Sequence, residues 1–339
     1  MSSQKIIRSI CWFTNNPSAA TRDNVNTLSK ILEDNGFSIQ TKRVCSSIDD
    51  PQKLENLIDD PEFYLSVGSI SPELVEGVLP FIYKTRKVNF NVDLTNKEIT
   101  LDHAGLLFTI MRENAPKTFC FSYVFNNALS TPYFPSASYE REGFAIGLQP
   151  TDLSEGSTTL EEWFEQMRFV WQEVDILFKS DPNFLGIDSS IAPLYQGPSS
   201  LVNFVKRLGY SLVSSTTSDL YVRMTRFIKE ENPQTIGLCG LMLPCLEDFE
   251  LADEYEKGEF SIERNIYLSL HSGLGIDTYP IGMDERPERV LEILKLLQAL
   301  SNKYQKPLSC RFVSDGKAGI GDRTNFQNQF LKDVSIRAL

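Results

Sequence analysis

The chain has 339 residues, 41% of them hydrophobic, and carries 33 basic against 45 acidic residues for a net charge of −12. That size suits a single α/β domain spanning residues 1–339 with an ample core, and the acidic balance argues against nucleic acid as a partner, because phosphate binding relies on basic surface. No stretch approaches the ~20 apolar residues of a membrane span. The opening MSSQKIIRSICWFTNN lacks the basic segment, apolar run and small-residue site of a secretory leader, so a cytoplasmic protein without membrane contact is expected.

Strand-like and helix-like segments alternate along the chain. IIRSICWF is a compact β-rich run, and Val25, Leu28, Ile31 and Leu32 then recur at helical spacing up to Gly36, which reads as a stop. FSIQTKRV alternates like a half-buried strand, FYLSVG is a short strand, and SISPELVEGVL starts a helix with Ser71 as N-cap and Pro72 in its first position. EITLDHAGLLFTIMREN reads as a helix, KTFCFSYVF as a buried strand and GFAIGLQ as another.

STTLEEWFEQMRFVWQEVDILFKS is the clearest helix. Thr158 and Glu161 suggest a capping box, and Leu160, Trp163, Phe164, Met167, Val170, Trp171, Val174 and Phe178 form an apolar face that reads as core packing rather than a cofactor box. FLGIDSSIAP follows as strand and turn, SSLVNFVKRLG as a helix stopped by Gly209, and TIGLCGLMLP as a strand. CLEDFELADEYEKG reads as an acidic helix, NIYLSLHSGLGI as a strand entering a glycine turn, ERPERVLEILKLLQALSNKY as a long amphipathic helix and PLSCRFVS as the last strand. The alternation predicts an α/β fold, a largely parallel or mixed sheet with helices outside, with enough units for a barrel.

The six cysteines are dispersed, form no C-x-x-C pair and read as reduced, buried thiols. With only two histidines, His103 and His271, a zinc site of His and Cys ligands is not expected.

The glycine-bearing stretches carry the candidate chemistry. CRFVSDGKAGIGD is not a Walker loop, because Arg311 stands where the first glycine belongs and Ala318 follows Lys317. Its backbone N–H groups and Lys317 could still hold an anion, against the alternative of a plain glycine turn. HSGLGID has Gly273 and Gly275, but Thr278 replaces the third glycine of a dinucleotide fingerprint, so no nucleotide fingerprint is present. Gly275 marks a close backbone approach. His271 is a candidate general base, weighed against a structural role.

GIDSSIAP places Asp188 and Ser190 at a strand end, where α/β proteins hold ligands. Asp188, Asp277 and Asp322 lie on three such loops, and their convergence would make a divalent cation site. FNNALSTPYFPSAS is a long polar-aromatic loop in which Asn126 and Asn127 can orient a ligand and Phe134 can wall a pocket.

In order, VFNNALSTPYFPSAS, GFAIGLQ, LGIDSSIAP, GLCGLMLPCLEDFELADEYEKGEFSIE, SGLGID and CRFVSDGKAGIGD resemble the domain-of-unknown-function 711 family, also called uncharacterised protein family 0210, over most of residues 118 to 326. The resemblance implies a fold similar to pyruvate formate-lyase, an α/β barrel with helices outside and strands around a central cavity. It does not imply that enzyme's radical chemistry. The adjacent cysteine pair is absent, and Gly316 is followed by Lys317, so no glycyl radical is assigned. The family has no settled biochemical role.

The resulting expectation is a protein that binds a small polar or anionic metabolite in a central cavity, with its transformation there as the further expectation. Arg311, Lys317 and Asp322 would contact the ligand with Asn126, Asn127, Phe134, Ser190 and Gly275, and Asp188, Asp277 or His271 would act as acid or base. The alternatives are a non-catalytic binding or regulatory protein and a structural homo-oligomer, with a dimer as the first assembly to consider.

Overall fold

The computed structural model describes residues 4–48 and 50–339. Its strands are β1 (Ile6–Phe13), β2 (Ser38–Ile39), β3 (Lys42–Cys45), β4 (Phe63–Ile70), β5 (Val88–Asp93), β6 (Phe121–Phe125), β7 (Gly143–Leu148), β8 (Phe184–Asp188), β9 (Gly275–Pro280) and β10 (Leu308–Val313). The helices are α1 (Ala19–Asp34), α2 (Pro51–Ile58), α3 (Pro72–Ile82), α4 (Leu101–Asn114), α5 (Leu160–Phe178) and α6 (Leu201–Arg207), then α7 (Leu212–Thr216), α8 (Leu220–Glu231), α9 (Phe249–Glu256), α10 (Ile262–Ser269) and α11 (Pro287–Tyr304). Among the described residues no helix is long and apolar enough to cross a membrane.

All ten strands form one mostly parallel sheet, in the order β8-β7-β1-β3-β4-β5-β6-β10-β9 with β2 beside β1. The block β1-β3-β4-β5-β6 is parallel, and its two flanks, β7 against β1 and β10 against β6, are antiparallel. The ladder is open rather than a closed barrel, because β8 and β9 do not pair. Between them the segment 235–248 makes single parallel bridges to both sides, through Ile187↔Thr235 and Ile191↔Leu241 and through Leu241↔Gly273 and Pro244↔Asp277.

The open sheet is strongly curled. Five ladder steps separate β1 from β10, which on a flat sheet would hold them ~24 Å apart. Yet Arg8 of β1 and Arg311 of β10 reach the same carboxylate, Glu247, at 3.2 and 2.8 Å. Helices cover the convex face, where Val25 and Leu28 of α1, Leu107 and Met111 of α4 and Ile293 and Leu297 of α11 meet Ile10, Val44 and Phe90 of the sheet in one core. The expected aromatic stripe of α5 is part of that core. Trp163 and Trp171 are buried and donate to the Pro150 carbonyl and the Ser189 hydroxyl; Trp171 stacks on Phe227, and Trp163 packs tilted against it.

Several local readings change. KTFC at the start of the expected strand KTFCFSYVF belongs to a 3-10 turn, Ala115–Cys120, and TIGLCGLMLP is held by single bridges rather than as a strand. The α5 N-cap is Thr159, paired with Glu162, one residue later than expected. NIYLSL is helical: Ser261 caps α10 by accepting from the Arg264 N–H, and Ile262, Asn265, Leu268 and Ser269 are its buried face. The strand begins only at the second glycine, Gly275.

Asp248 caps α9 and also accepts from the Leu201 N–H at 2.9 Å. Burial raises its pKa to about 7. Its stabilising contribution is therefore complete below the ordinary value near 3.8 and is lost as pH rises toward 7. Urea titrations of the Asp248→Asn variant should show the difference from wild type changing across that window and flat above it.

Candidate functional site

The loop joining β6 to β7 lies against the concave face of the sheet. Pro132 O accepts from Ser9 Oγ of β1 and from Arg43 Nη1 of β3, at 2.9 and 3.0 Å. Asn91 of β5 donates to Pro135 O and Ala137 O, both at 2.9 Å. Thr131 Oγ1 donates to Asp188 of β8 at 3.0 Å, and the Tyr133 hydroxyl donates to the Leu148 carbonyl. Strands from across the sheet thus hold one plug, and its buried carbonyls are satisfied by side chains instead of a ladder.

Beside the plug lies a layer of charge. Arg311 donates through Nε to Asp277 at 2.6 Å, through Nη2 to Glu247 at 2.8 Å and through Nη1 to Phe119 O at 3.2 Å. Arg8 donates to the other oxygen of Glu247. Arg43 is 6% exposed. It donates to Thr41 Oγ1 at 2.9 Å and stacks on the Phe134 ring at 5.0 Å, but among the described residues it has no carboxylate partner. Three guanidiniums against two carboxylates leave the layer with one uncompensated positive charge.

The electrostatics follow from that imbalance. Burial would lower the pKa of Arg311, but Asp277 and Glu247 hold it above its ordinary value. Arg43, without such a partner, falls to about 10 through burial and the nearby Arg8 charge. Arg8 Nε and Ser122 Oγ are buried with no hydrogen-bond partner among the described residues. Both border a cavity of about 20 Å³, and a neighbouring cavity of about 40 Å³ shares Arg8, Arg43, Phe134, Glu247 and Arg311. A water-sized group needs roughly 10–15 Å³, so the cage accommodates a small ion rather than a whole metabolite.

An aromatic cap closes the layer. The Phe330 ring lies 6.4 Å from Tyr64, 6.3 Å from Phe119 and 5.9 Å from Tyr195, spanning three separate parts of the sheet's rim. Phe330 also lines the cavity of about 40 Å³.

The family model described as uncharacterised ACR (DUF711) matches residues 88–328. The chain belongs to the DUF711 family. No curated protein matches it. The DUF711 match contains Phe134, Glu247, Asp277 and Arg311, whereas Arg8, Arg43 and Phe330 lie outside it.

Of the residues singled out from the sequence, Asp277, Arg311 and Phe134 meet in this layer. Asp188 is fully buried and accepts from five donors: Thr131 Oγ1, the Ser190 N–H and hydroxyl, and the Leu238 and Cys239 N–H groups. Burial raises its pKa against those bonds. With Ser190, whose hydroxyl also accepts from Gly240 N, it ties the 235–248 segment to the end of β8. Gly275 serves strand pairing: its φ is +102°, and a Cβ there would sit 2.0 Å from Ser309 O.

Asn126 fastens the end of β6 to α11 through Ser301 and Asn302, and Asn127 donates to Ser136 O within the plug. His271 sits on the exposed turn after α10 with Nδ1 2.9 Å from Ser272 Oγ. Burial and Lys306 lower its pKa. Lys317 and Asp322 are exposed on the turn after β10, where Asp322 accepts from Gly319 N. Asp188, Asp277 and Asp322 do not converge, and among the described residues no group of three or more His, Cys, Asp or Glu side chains is placed to hold a metal ion.

Proposed function

We propose that the chain is a binding protein for a small anion, held through a carboxylate or phosphate group by Arg8 and Arg43 inside an α/β barrel of the pyruvate formate-lyase type. The barrel reading takes the 235–248 segment as the tenth stave. With it, β1, β3, β4, β5 and β6 run one way and the segment runs with β7, β8, β9 and β10 the other way, supported by its parallel bridges to β8 and β9. The observation that carries the binding reading is Arg43, a buried guanidinium without a carboxylate, beside the unpartnered Nε of Arg8. An isolated buried charge is costly, and an oxyanion would both neutralise it and satisfy those donors.

The geometry favours binding over acid–base catalysis. Asp277 and Glu247 are engaged by guanidiniums, Asp188 is saturated by donors and His271 faces away on the outer turn. A second reading has its own support: Arg43 holds Pro132 O and stacks on Phe134, which is what an anchor for the plug would do.

Thermal unfolding at constant ionic strength separates the two. Formate and inorganic phosphate should stabilise the wild type, by about 2.7 kcal/mol at a concentration 100 times Kd, and should not stabilise Arg43→Met. If neither anion moves the wild-type transition, Arg43 is an anchor and the binding reading falls.

A further inference from the structure

At the opposite ends of the same strands lies a separate open cleft of about 710 Å³, formed by the ends of β4 and β5, one face of α3 and the plug. The arginine cage draws on Arg43 and Asn89 near the starts of β3 and β5, whereas the cleft takes Asp93 from the end of β5. Its volume is that of a site for a whole small molecule.

Helix α3 carries two apolar faces. Val75, Leu79 and Ile82 are buried in the core. Leu74 and Val78 line the cleft, with Leu74 65% exposed. Between them stands Gly77, and a Cβ there would meet nothing within 4 Å. Glycine is the poorest helix former except proline, and here no close packing requires it. Its effect is to keep the cleft open.

The polar features of the cleft select the ligand. Asp93 is the one ionisable carboxylate among its described lining residues, and no basic side chain lines it. Asp93 Oδ1 is occupied by the Thr95 N–H and hydroxyl, leaving Oδ2 for a ligand. Ser138, which lines the cleft, is 8% exposed, and its buried hydroxyl has no partner among the described residues. Tyr139 adds an aromatic ring, a surface that attracts organic cations. We infer that this cleft is a second ligand site, independent of the arginine cage, that takes an organic ammonium compound with an apolar body. The ammonium pairs with Asp93, and the body lies along Leu74, Gly77 and Val78.

Calorimetry on the full chain with three probes of one shape, 4-phenylbutylammonium, 4-phenylbutanol and 4-phenylbutanoate, tests this. The ammonium should bind at least tenfold more tightly than the other two. Gly77→Met fills the groove and favours the helix, so it should raise Tm and weaken ammonium binding at least tenfold. Asp93→Asn keeps the acceptor for Thr95 and should remove the preference for the ammonium over the alcohol. Equal binding of ammonium and carboxylate, or ammonium binding unchanged in a folded Gly77→Met, would overturn the inference.

Discussion

Replacing Glu247 with Gln is expected to lower the unfolding free energy by about 3–5 kcal/mol. The carboxylate faces Arg8 at 3.2 Å and Arg311 at 2.8 Å, and all three side chains are buried. Glutamine keeps the shape and loses the charge. Two guanidiniums that shared a counter-ion would then depend on Asp277 alone, which pairs only with Arg311. Urea denaturation gives the size of the loss. The variant should also respond more strongly than wild type to added formate, because its layer carries one more uncompensated positive charge. A loss below 1 kcal/mol would mean that the layer is hydrated and effectively exposed.

Asp188→Ala should cost about 6 kcal/mol, the sum of three orphaned buried backbone N–H groups at ~1–3 kcal/mol each with some cavity cost. The Ser190, Leu238 and Cys239 N–H groups lose their acceptor among the described residues, while the Thr131 and Ser190 hydroxyls can rotate to others. The damage should be local first. Hydrogen exchange is expected to accelerate in residues 235–242 before the β1-β3-β4-β5 block, because Asp188 joins that segment to β8. Uniform acceleration across the sheet would show that the segment is held by other contacts.

The sequence made the layers legible and hid the cage. Regular alternation and end signals such as Ser71-Pro72 place most strands and helices, since local periodicity reports which face meets the core. NIYLSL is ambiguous because its short apolar run suits a strand as well as a helix, and the buried Asn265 and Ser269 settle it only in three dimensions. Arg8 and Arg43 each look like the polar position of a half-buried strand. Their inward placement depends on the curl that brings β1 and β10 to one carboxylate, which no local pattern encodes. Glu247 lies in an acidic run that resembles a solvated helix face. Conversely, Lys317 and Asp322 follow Arg311 closely in sequence, but the chain leaves the sheet at Val313 and carries them to the surface.

The occupancy of the cage can be read directly. A crystal of the wild-type chain soaked in sodium bromide and measured at the bromine edge should show an anomalous peak within hydrogen-bonding distance of the Arg43 and Arg8 guanidiniums, and Arg43→Met crystals should lack it. Bromide peaks confined to the protein surface, with the cage empty or filled by water alone, would contradict the account.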